Sequence, residues 1–241
     1  RAVTDNDMGA QSQKNFAAWR TPKMKLRSLT VDKKLKTAVA VYNMPAVKST
    51  LTLTYQVEAN GTLVVTQDLK TTPGAKVSEM LRFGMVMNLP YDMDQVQWNG
   101  RGPVENYSDR KISQNVGIYH STADDLFYPY IRPQETGTMS DLRWWNQTNK
   151  NGVGFRVESD KLFSASALHY DLLTLDEGKE KKQRHSQSVE KSKYTNLFID
   201  LVQSGVGGVD SWGGDGRARK GHRVEYKDYT FSFRIAPKTL Y

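Results

Sequence analysis

The stretch Leu51-Thr52-Leu53-Thr54-Tyr55-Gln56-Val57-Glu58-Ala59-Asn60-Gly61-Thr62-Leu63-Val64-Val65-Thr66-Gln67-Asp68-Leu69 decides the fold. Leu51, Leu53, Tyr55 and Val57 alternate with Thr52, Thr54, Gln56 and Glu58. After Asn60-Gly61 the alternation resumes through Leu63, Val65, Gln67 and Leu69. Successive side chains on a strand point to opposite faces, so a period of two makes one face apolar and the other polar. Asn-Gly accepts the positive φ of a tight reversal, so the stretch reads as a β-hairpin.

The same pattern recurs outward along the chain. Leu81, Phe83, Met85, Met87 and Leu89 alternate until Pro90 stops them. Val153, Phe155 and Val157 follow, then Leu197, Ile199 and Leu201, and finally Tyr229, Phe231, Phe233 and Ile235. Helical signals are few. Asn15 to Arg20 sets Phe16 and Trp19 three apart and predicts one or two turns ending before Pro22. Ser121 to Leu126 predicts a short turn capped by Ser121 or Thr122. No internal repeat and no Gly/Ser- or Pro-rich linker divides the chain. The expectation is an all-β fold, a large antiparallel β-sandwich rather than a closed barrel, with residues 1–241 as one domain.

Composition narrows the function classes. At 241 residues the chain is long enough to bury a sizeable core without staples. It has no cysteine, which excludes disulfides, cysteine metal sites and a thiol nucleophile. No run approaches the roughly 20 apolar residues of a membrane-spanning helix. Basic residues number 34 against 26 acidic, a net charge of +8. They are spread along the chain, so a nucleic-acid partner is not expected. The densest group, Lys179, Lys181, Lys182 and Arg184, is interleaved with Glu177, Glu180 and Glu190 and reads as a solvated loop. The opening Arg1-Ala2-Val3-Thr4 has no initiator Met and no apolar leader, as expected of a piece of a longer protein. That leaves the compartment open between cytoplasm and periplasm.

Familiar catalytic motifs are missing. His120, His169, His185 and His222 have no metal-ligand spacing, and no metal site is expected. There is no Gly-x-Ser-x-Gly elbow and no phosphate-binding loop. Asp5, Asp7 and Gly9 echo a calcium loop but lack its far acidic ligand, so a capped turn is the better reading.

Three polar, glycine-rich blocks stand out instead: Trp98 to Arg110; Pro133 to Gly137 with Arg143-Trp144-Trp145; and Gly205 to Gly213. Loops of this kind between apolar strands are where function usually sits. Glu105, Asp109, Arg110, Glu135 and Arg143 also read as a charge network bracing two sheets, since Arg forks bind carboxylates without any substrate. Trp98, Trp144 and Trp145 read as packing. Trp212, beside Asp210 and Ser211 in a glycine-rich loop, has few apolar neighbours to bury it. An exposed indole suits the CH face of a pyranose, so Trp212 is the leading ligand contact.

These blocks resemble the C-terminal, small-chain domain of glycoside hydrolase family 2 β-galactosidases. The resemblance starts at Arg1-Ala2-Val3-Thr4-Asp5-Asn6-Asp7-Met8-Gly9 and runs through Trp98-Asn99-Gly100-Arg101-Gly102-Pro103-Val104-Glu105-Asn106-Tyr107-Ser108-Asp109-Arg110-Lys111. It recurs at Tyr128-Pro129-Tyr130-Ile131-Arg132-Pro133-Gln134-Glu135-Thr136-Gly137 and ends at Gly207 to Trp212. Val3 stands where the family usually has Pro, and Thr136 where it usually has Asn. The resemblance implies a supersandwich shared with galactose mutarotases and a parent enzyme that hydrolyses terminal β-galactosides with retention. It implies that two catalytic glutamates sit on a separate TIM barrel, which also holds any Mg or Na ions, and that the parent is often a homo-oligomer. No catalytic residue is expected here. Trp212, Asp210 and Ser211 are the expected sugar contacts, and Glu105, Asn106, Asp109, Arg110, Glu135 and Arg143 the cleft-bracing set. Two rivals remain: a stand-alone carbohydrate-binding module, and an aldose epimerase using His169 and Glu135 as its acid and base.

Overall fold

The computed structural model describes residues 1–176 and 184–238. Lys179, Lys181 and Lys182, read above as a solvated loop, lie outside the described residues. Three short helices open the chain: α1 (Asp5–Gly9), α2 (Ser12–Asn15) and α3 (Ala17–Arg20). Seven strands follow: β1 (Lys25–Asp32), β2 (Thr37–Met44), β3 (Ser49–Val57), β4 (Leu63–Thr71), β5 (Arg82–Pro90), β6 (Gln95–Gly102) and β7 (Asn115–Thr122). Then come β8 (Met139–Thr148), β9 (Gly154–Leu168), α4 (Leu172–Leu175), β10 (Tyr194–Gln203) and β11 (Tyr229–Lys238).

The quoted hairpin forms as the alternation requires. β3 and β4 pair antiparallel from Ser49 opposite Thr71 to Val57 opposite Leu63. The reversal closes where the Gly61 N–H donates to the Glu58 carbonyl at 3.0 Å, with Gly61 at φ 84°. Positive φ costs glycine little, and this is why glycine stands there. Two caps expected from the sequence form as well. Thr4 and Asp7 form a reciprocal capping box at the start of α1. The Thr122 hydroxyl accepts from the Asp125 N–H at 3.1 Å.

All strand pairs are antiparallel and belong to one sheet, ordered β1-β2-β3-β4-β11-β9-β8-β6-β7. Here the structure refines the expectation of separate large sheets. Strand β9 is 15 residues long, and the sheet forks along it. Gly154 to Glu158 pair with β11, whereas Ser164 to Leu168 pair with β10, which carries β5 on its outer side. The two branches then pack on one another. Phe83 of β5 stacks on Tyr229 of β11 with ring centroids 5.4 Å apart, although these strands share no hydrogen bonds. The result is a sandwich-like all-β fold whose layers are two arms of one sheet.

One hydrophobic cluster fills the space between the arms. It draws on Leu69, Phe83, Trp98, Trp145, Leu197, Ile199, Phe231 and Phe233, all buried. Trp98 and Trp145 stack at 5.7 Å, and each indole N–H has a partner, the Arg101 carbonyl at 3.0 Å and Gln147 Oε1 at 2.9 Å. A buried indole needs such a partner, so these two are packing residues, as expected. Trp144 is half-buried beneath the Arg156 guanidinium, 4.4 Å from its ring centre.

Candidate functional site

The blocks singled out in the sequence meet at one end of the sandwich, and the first residues of the chain hold them together. Asp7 accepts the Thr4 N–H at 2.8 Å and receives the Arg1 guanidinium through Nη1 at 2.5 Å and Nη2 at 3.2 Å. Arg1 spends its other bonds on the carbonyls of Ser204 at 3.2 Å, Gly205 at 2.7 Å and Ala2 at 2.8 Å. Both ends of the pair are buried, at 1% and 4% side-chain exposure. The α1 turn is thereby fixed to the glycine-rich block of Gly205 to Gly213.

Glu135 brings in the second block. Its carboxylate accepts the Ala2 N–H at 2.8 Å, the Thr138 hydroxyl at 3.1 Å and the Gln203 amide at 2.7 Å. Asp109 brings in the remaining one, accepting the Gly207 N–H at 2.8 Å. The approach is so close that a Cβ on Gly205 would lie 2.3 Å from Asp109 Oδ2, so only glycine fits.

Glu105 organises the next layer. It pairs with Arg110 and receives the Tyr130 hydroxyl, while its other oxygen accepts the Gly137 N–H at 2.7 Å and the Thr136 hydroxyl at 3.3 Å. Arg110 also donates to the Tyr130 oxygen at 2.8 Å and lies over the Tyr107 ring. Burial, then the charges of Glu135 and Glu105, push the Tyr107 phenol well above its ordinary range. Burial and the hydrogen bond to Glu105 raise Tyr130 as well. Both phenols therefore stay protonated and serve as donors. Asn106, fully buried, accepts from the Ser140 N–H at 3.0 Å and donates to the Val104 carbonyl at 2.9 Å.

Arg143 stands apart from this network, which corrects the grouping expected from the sequence. It is exposed, and its guanidinium donates to the Asp141 carbonyl at 2.7 Å. Regular alternation would put it on the face of buried Trp145, but the register shift between Leu142 and Trp144 leaves its side chain outside. The side chain that pairs near it is Asp141, at φ 54° where β8 slips register, whose carboxylate lies 2.6 Å from Arg101 and 2.7 Å from Lys111.

Between these blocks lies an open concavity of about 270 Å³ whose lining includes Thr4, Asn6, Asp109, Arg110, Tyr130 and Gln134. At its Asn6 side the chain turns through Asp210, Ser211 and Trp212. The Ser211 hydroxyl meets Asn6 Oδ1 at 3.1 Å, and Asn6 Nδ2 donates to the Asp210 carbonyl at 3.4 Å. Asp210 accepts the Trp212 N–H at 2.8 Å. Gly9 lets the loop seat on α1, since a Cβ there would lie 1.9 Å from the Ser211 carbonyl oxygen. Within this anchored loop the Trp212 side chain projects outward, with the residue 80% exposed.

The two residues nominated for epimerase chemistry are not brought together. His169 is buried, with Nδ1 2.8 Å from Asp124, Nε2 3.1 Å from the Tyr91 carbonyl and its ring stacked on Tyr91. Both ring nitrogens are thus occupied. Glu135 has its oxygens taken by Ala2, Thr138 and Gln203. A carboxylate so engaged is held as an acceptor and is not poised to move a proton. Among the described residues, no three His, Asp or Glu side chains converge as a metal-ligand set.

Arg1, Asp7, Tyr130 and Gln203 were not nominated from the sequence. Arg1, Asp7 and Tyr130 lie within quoted blocks, but only the fold shows what they touch. Nothing local marks Gln203, which reaches Glu135 from the end of β10.

Comparison with known proteins gives the family of the chain. A profile of the beta galactosidase small chain family matches residues 1–235. A beta-galactosidase of Lactobacillus delbrueckii subsp. bulgaricus is 34% identical over 220 residues, covering 88% of this chain and 21% of that protein. A beta-galactosidase of Staphylococcus xylosus is 28% identical over 241 residues, covering 98% of this chain and 23% of that protein. The chain spans about a fifth of the length of the curated relatives it matches. Among solved structures, a putative aldose 1-epimerase from Escherichia coli K12 superposes with a TM-score of 0.45 at 10% identity, over 88% of this chain and 68% of that one. By the extent of the profile match, the chain belongs to the beta-galactosidase small-chain family.

Proposed function

We propose that this chain is the C-terminal domain of a retaining β-galactosidase, folded as one unit, that walls the substrate cleft while the catalytic glutamates act from a TIM barrel elsewhere in the polypeptide. The observation that carries the reading is the Asp210–Trp212 loop. Its backbone is anchored through Asn6 and Gly9, yet its one large apolar side chain is left in water. Leaving an indole exposed while fixing the loop beneath it forgoes burial energy and gains a positioned flat apolar face. Such a face stacks on a pyranose and helps exclude water from the neighbouring cleft.

The carboxylates of this end fit a bracing role. Glu105 and Glu135 have both oxygens engaged with fixed donors, which holds the loops and leaves bond chemistry to another part of the enzyme. Retention needs two carboxyls roughly 5–5.5 Å apart across the scissile bond, both free to act.

The test is Trp212→Ala in the full-length enzyme. The expected outcome is a KM for lactose raised about tenfold with kcat changed less, because lost stacking weakens binding of substrate and transition state alike. An unchanged KM together with unchanged transglycosylation would sink the reading. The 241-residue chain alone is expected to show no galactoside hydrolysis. Calorimetric titration of that chain with galactose is expected to give no heat of binding, and a saturable signal would favour a stand-alone binding module.

A further inference from the structure

The fork in the sheet opens a second cavity. Between Glu158 and Ser164, β9 pairs with neither β11 nor β10 among the described residues. The two arms part there, and a cavity of about 290 Å³ lies in the wedge, with Leu162, Phe163 and Ser164 of β9 in its lining. The neighbouring strands lose their regularity where they meet it. Ser140 and Asp141 fall within the register shift of β8 between Met139 and Leu142, and Leu201 within that of β10 between Asp200 and Val202. All three line the cavity. Such irregularities re-aim side chains and concentrate beside functional sites.

This cavity shares no lining residue with the one beside the Trp212 loop; the consecutive residues Ser108 and Asp109 line one each. Its charge is unbalanced. Lys111, Asp141, Arg223 and Lys227 all line it. Asp141 lies between Arg101 at 2.6 Å and Lys111 at 2.7 Å, and Glu79 between Arg217 at 2.7 Å and Arg223 at 3.7 Å. Each carboxylate thus serves two cations. Lys227 pairs with Glu225 at 3.3 Å, and both are largely exposed. Five cations stand against three carboxylates, a surplus of two positive charges. His222 also lines the cavity, and its ring makes no hydrogen bond to a described residue.

Two residues of the lining carry a buried polar atom without a partner. Gln203 Nε2 donates to Glu135 at 2.7 Å. A carboxylate only accepts, so this bond fixes which way the amide is turned. Gln203 Oε1 is then left buried and unbonded among the described residues, as is Ser108 Oγ. Buried polar atoms are nearly always paired, because an unmade bond costs the desolvation of the group. The two kinds of vacancy ask for different chemistry. Surplus cations and a free imidazole suit an oxyanion. Gln203 Oε1 only accepts, so it suits a hydroxyl, whose proton a fully ionised oxyanion lacks.

We propose that the fork cavity binds a small hydroxylated oxyanion, of the class of a sugar acid or a phosphorylated polyol. His222, Arg223 and Lys227 hold the anionic group, and Ser108 and Gln203 meet hydroxyls. A pocket orients its ligand through a few polar groups set among apolar walls, and Phe163, Val224 and Tyr229 supply those walls. The site does not depend on the galactosidase reading, because none of its residues belongs to the Trp212 loop. It does adjoin that loop: the His222 carbonyl accepts the Gly205 N–H at 2.8 Å.

Calorimetric titration of the full-length enzyme tests this, with glucitol 6-phosphate and gluconate as probes. Both are open chains and present no pyranose face to Trp212. At least one is expected to bind saturably and about tenfold more tightly than inorganic phosphate. Whichever binds more tightly identifies the anionic group as a phosphate ester or a carboxylate. Uncharged glucitol is expected to give no heat. His222→Ala with Lys227→Ala is expected to weaken the tighter probe about tenfold, and Trp212→Ala to leave it unchanged. Should the double variant not fold, Lys227→Gln, at an exposed residue, is expected to weaken it about threefold. No saturable heat from either probe, equal binding of glucitol or of inorganic phosphate, or unaltered affinity in the cavity variants overturns the inference. So does loss of binding in Trp212→Ala, which would put the probe in the sugar cleft. Absence of probe binding leaves the Trp212 reading standing, and an unchanged KM in Trp212→Ala leaves this one standing.

Discussion

Arg1 and Trp212 sit on segments that lock together, yet the molecule treats them in opposite ways. Around Arg1 the charged side chains are paired: the guanidinium with Asp7 and three carbonyls, Asp7 also with Thr4, and Glu135 with Ala2, Thr138 and Gln203. Around Trp212 only the backbone is held, and the indole is left to solvent. The difference separates two kinds of conspicuous residue. A buried charge whose donors and acceptors are all matched braces the fold, because any unmatched atom there would be costly. A large apolar side chain fixed at its root and bare at its tip contributes little to the fold, and the sugar contact proposed above is a reading under which its placement makes sense.

The contrast can be broken most severely at Asp7. Asp7→Ala leaves the Arg1 guanidinium buried without its counter-ion and is expected to cost about 3–5 kcal/mol, read from urea denaturation. A loss below about 1 kcal/mol would mean that the buried cluster is not what holds this end together. Next in size is Gly9→Ala. The added Cβ collides with the Ser211 carbonyl, and the loop must move, at an expected cost of about 1–3 kcal/mol. In the full-length enzyme the same variant is expected to raise KM as Trp212→Ala does, because it displaces the indole. Stability loss with an unaltered KM would dissociate the loop from binding.

Trp212→Ala itself is expected to change stability by no more than about 0.5 kcal/mol, since an exposed side chain that makes no capping bond and reaches no core contributes little. An appreciable drop in thermal stability would place the indole with the bracing residues. The smallest effect concerns pH. Burial raises the Asp141 carboxyl, but hydrogen bonds and charges from Lys111 and Arg101 outweigh it and hold it below the usual carboxylate range. A carboxylate depressed in the folded state contributes stability above its unfolded pKa of roughly 3.9 and loses it as pH falls through the folded value. Asp141→Asn, which tolerates the positive φ, is expected to lower Tm slightly at pH 6 and to converge with the unsubstituted chain as pH falls through the depressed folded value. A gap that widens on acidification would contradict the ion-pair account.

Much of this was legible without coordinates, for identifiable reasons. The hairpin of β3 and β4 rests on alternation and a turn residue, both local, and the capping of α1 by Thr4 is local too. Trp212 was conspicuous because its neighbours in sequence are small or polar. Grouping Arg143 with Glu105 and Glu135 failed because charge alone does not say which face of a strand a residue occupies. The slip in register at Asp141 is set by β8 meeting β9, which no short window of sequence contains.

The sequence by itself determined the period-two strands, the turns and the identity of the polar blocks, since these depend on side-chain preference over a few residues. Only the tertiary structure decided that β9 would fork one sheet into two arms, that Arg1 would reach the carbonyls of Ser204 and Gly205, and that the parting arms would leave a cavity beside β9. Those outcomes join residues up to 204 positions apart. Their energies come from burial and pairing that exist only once distant strands have met.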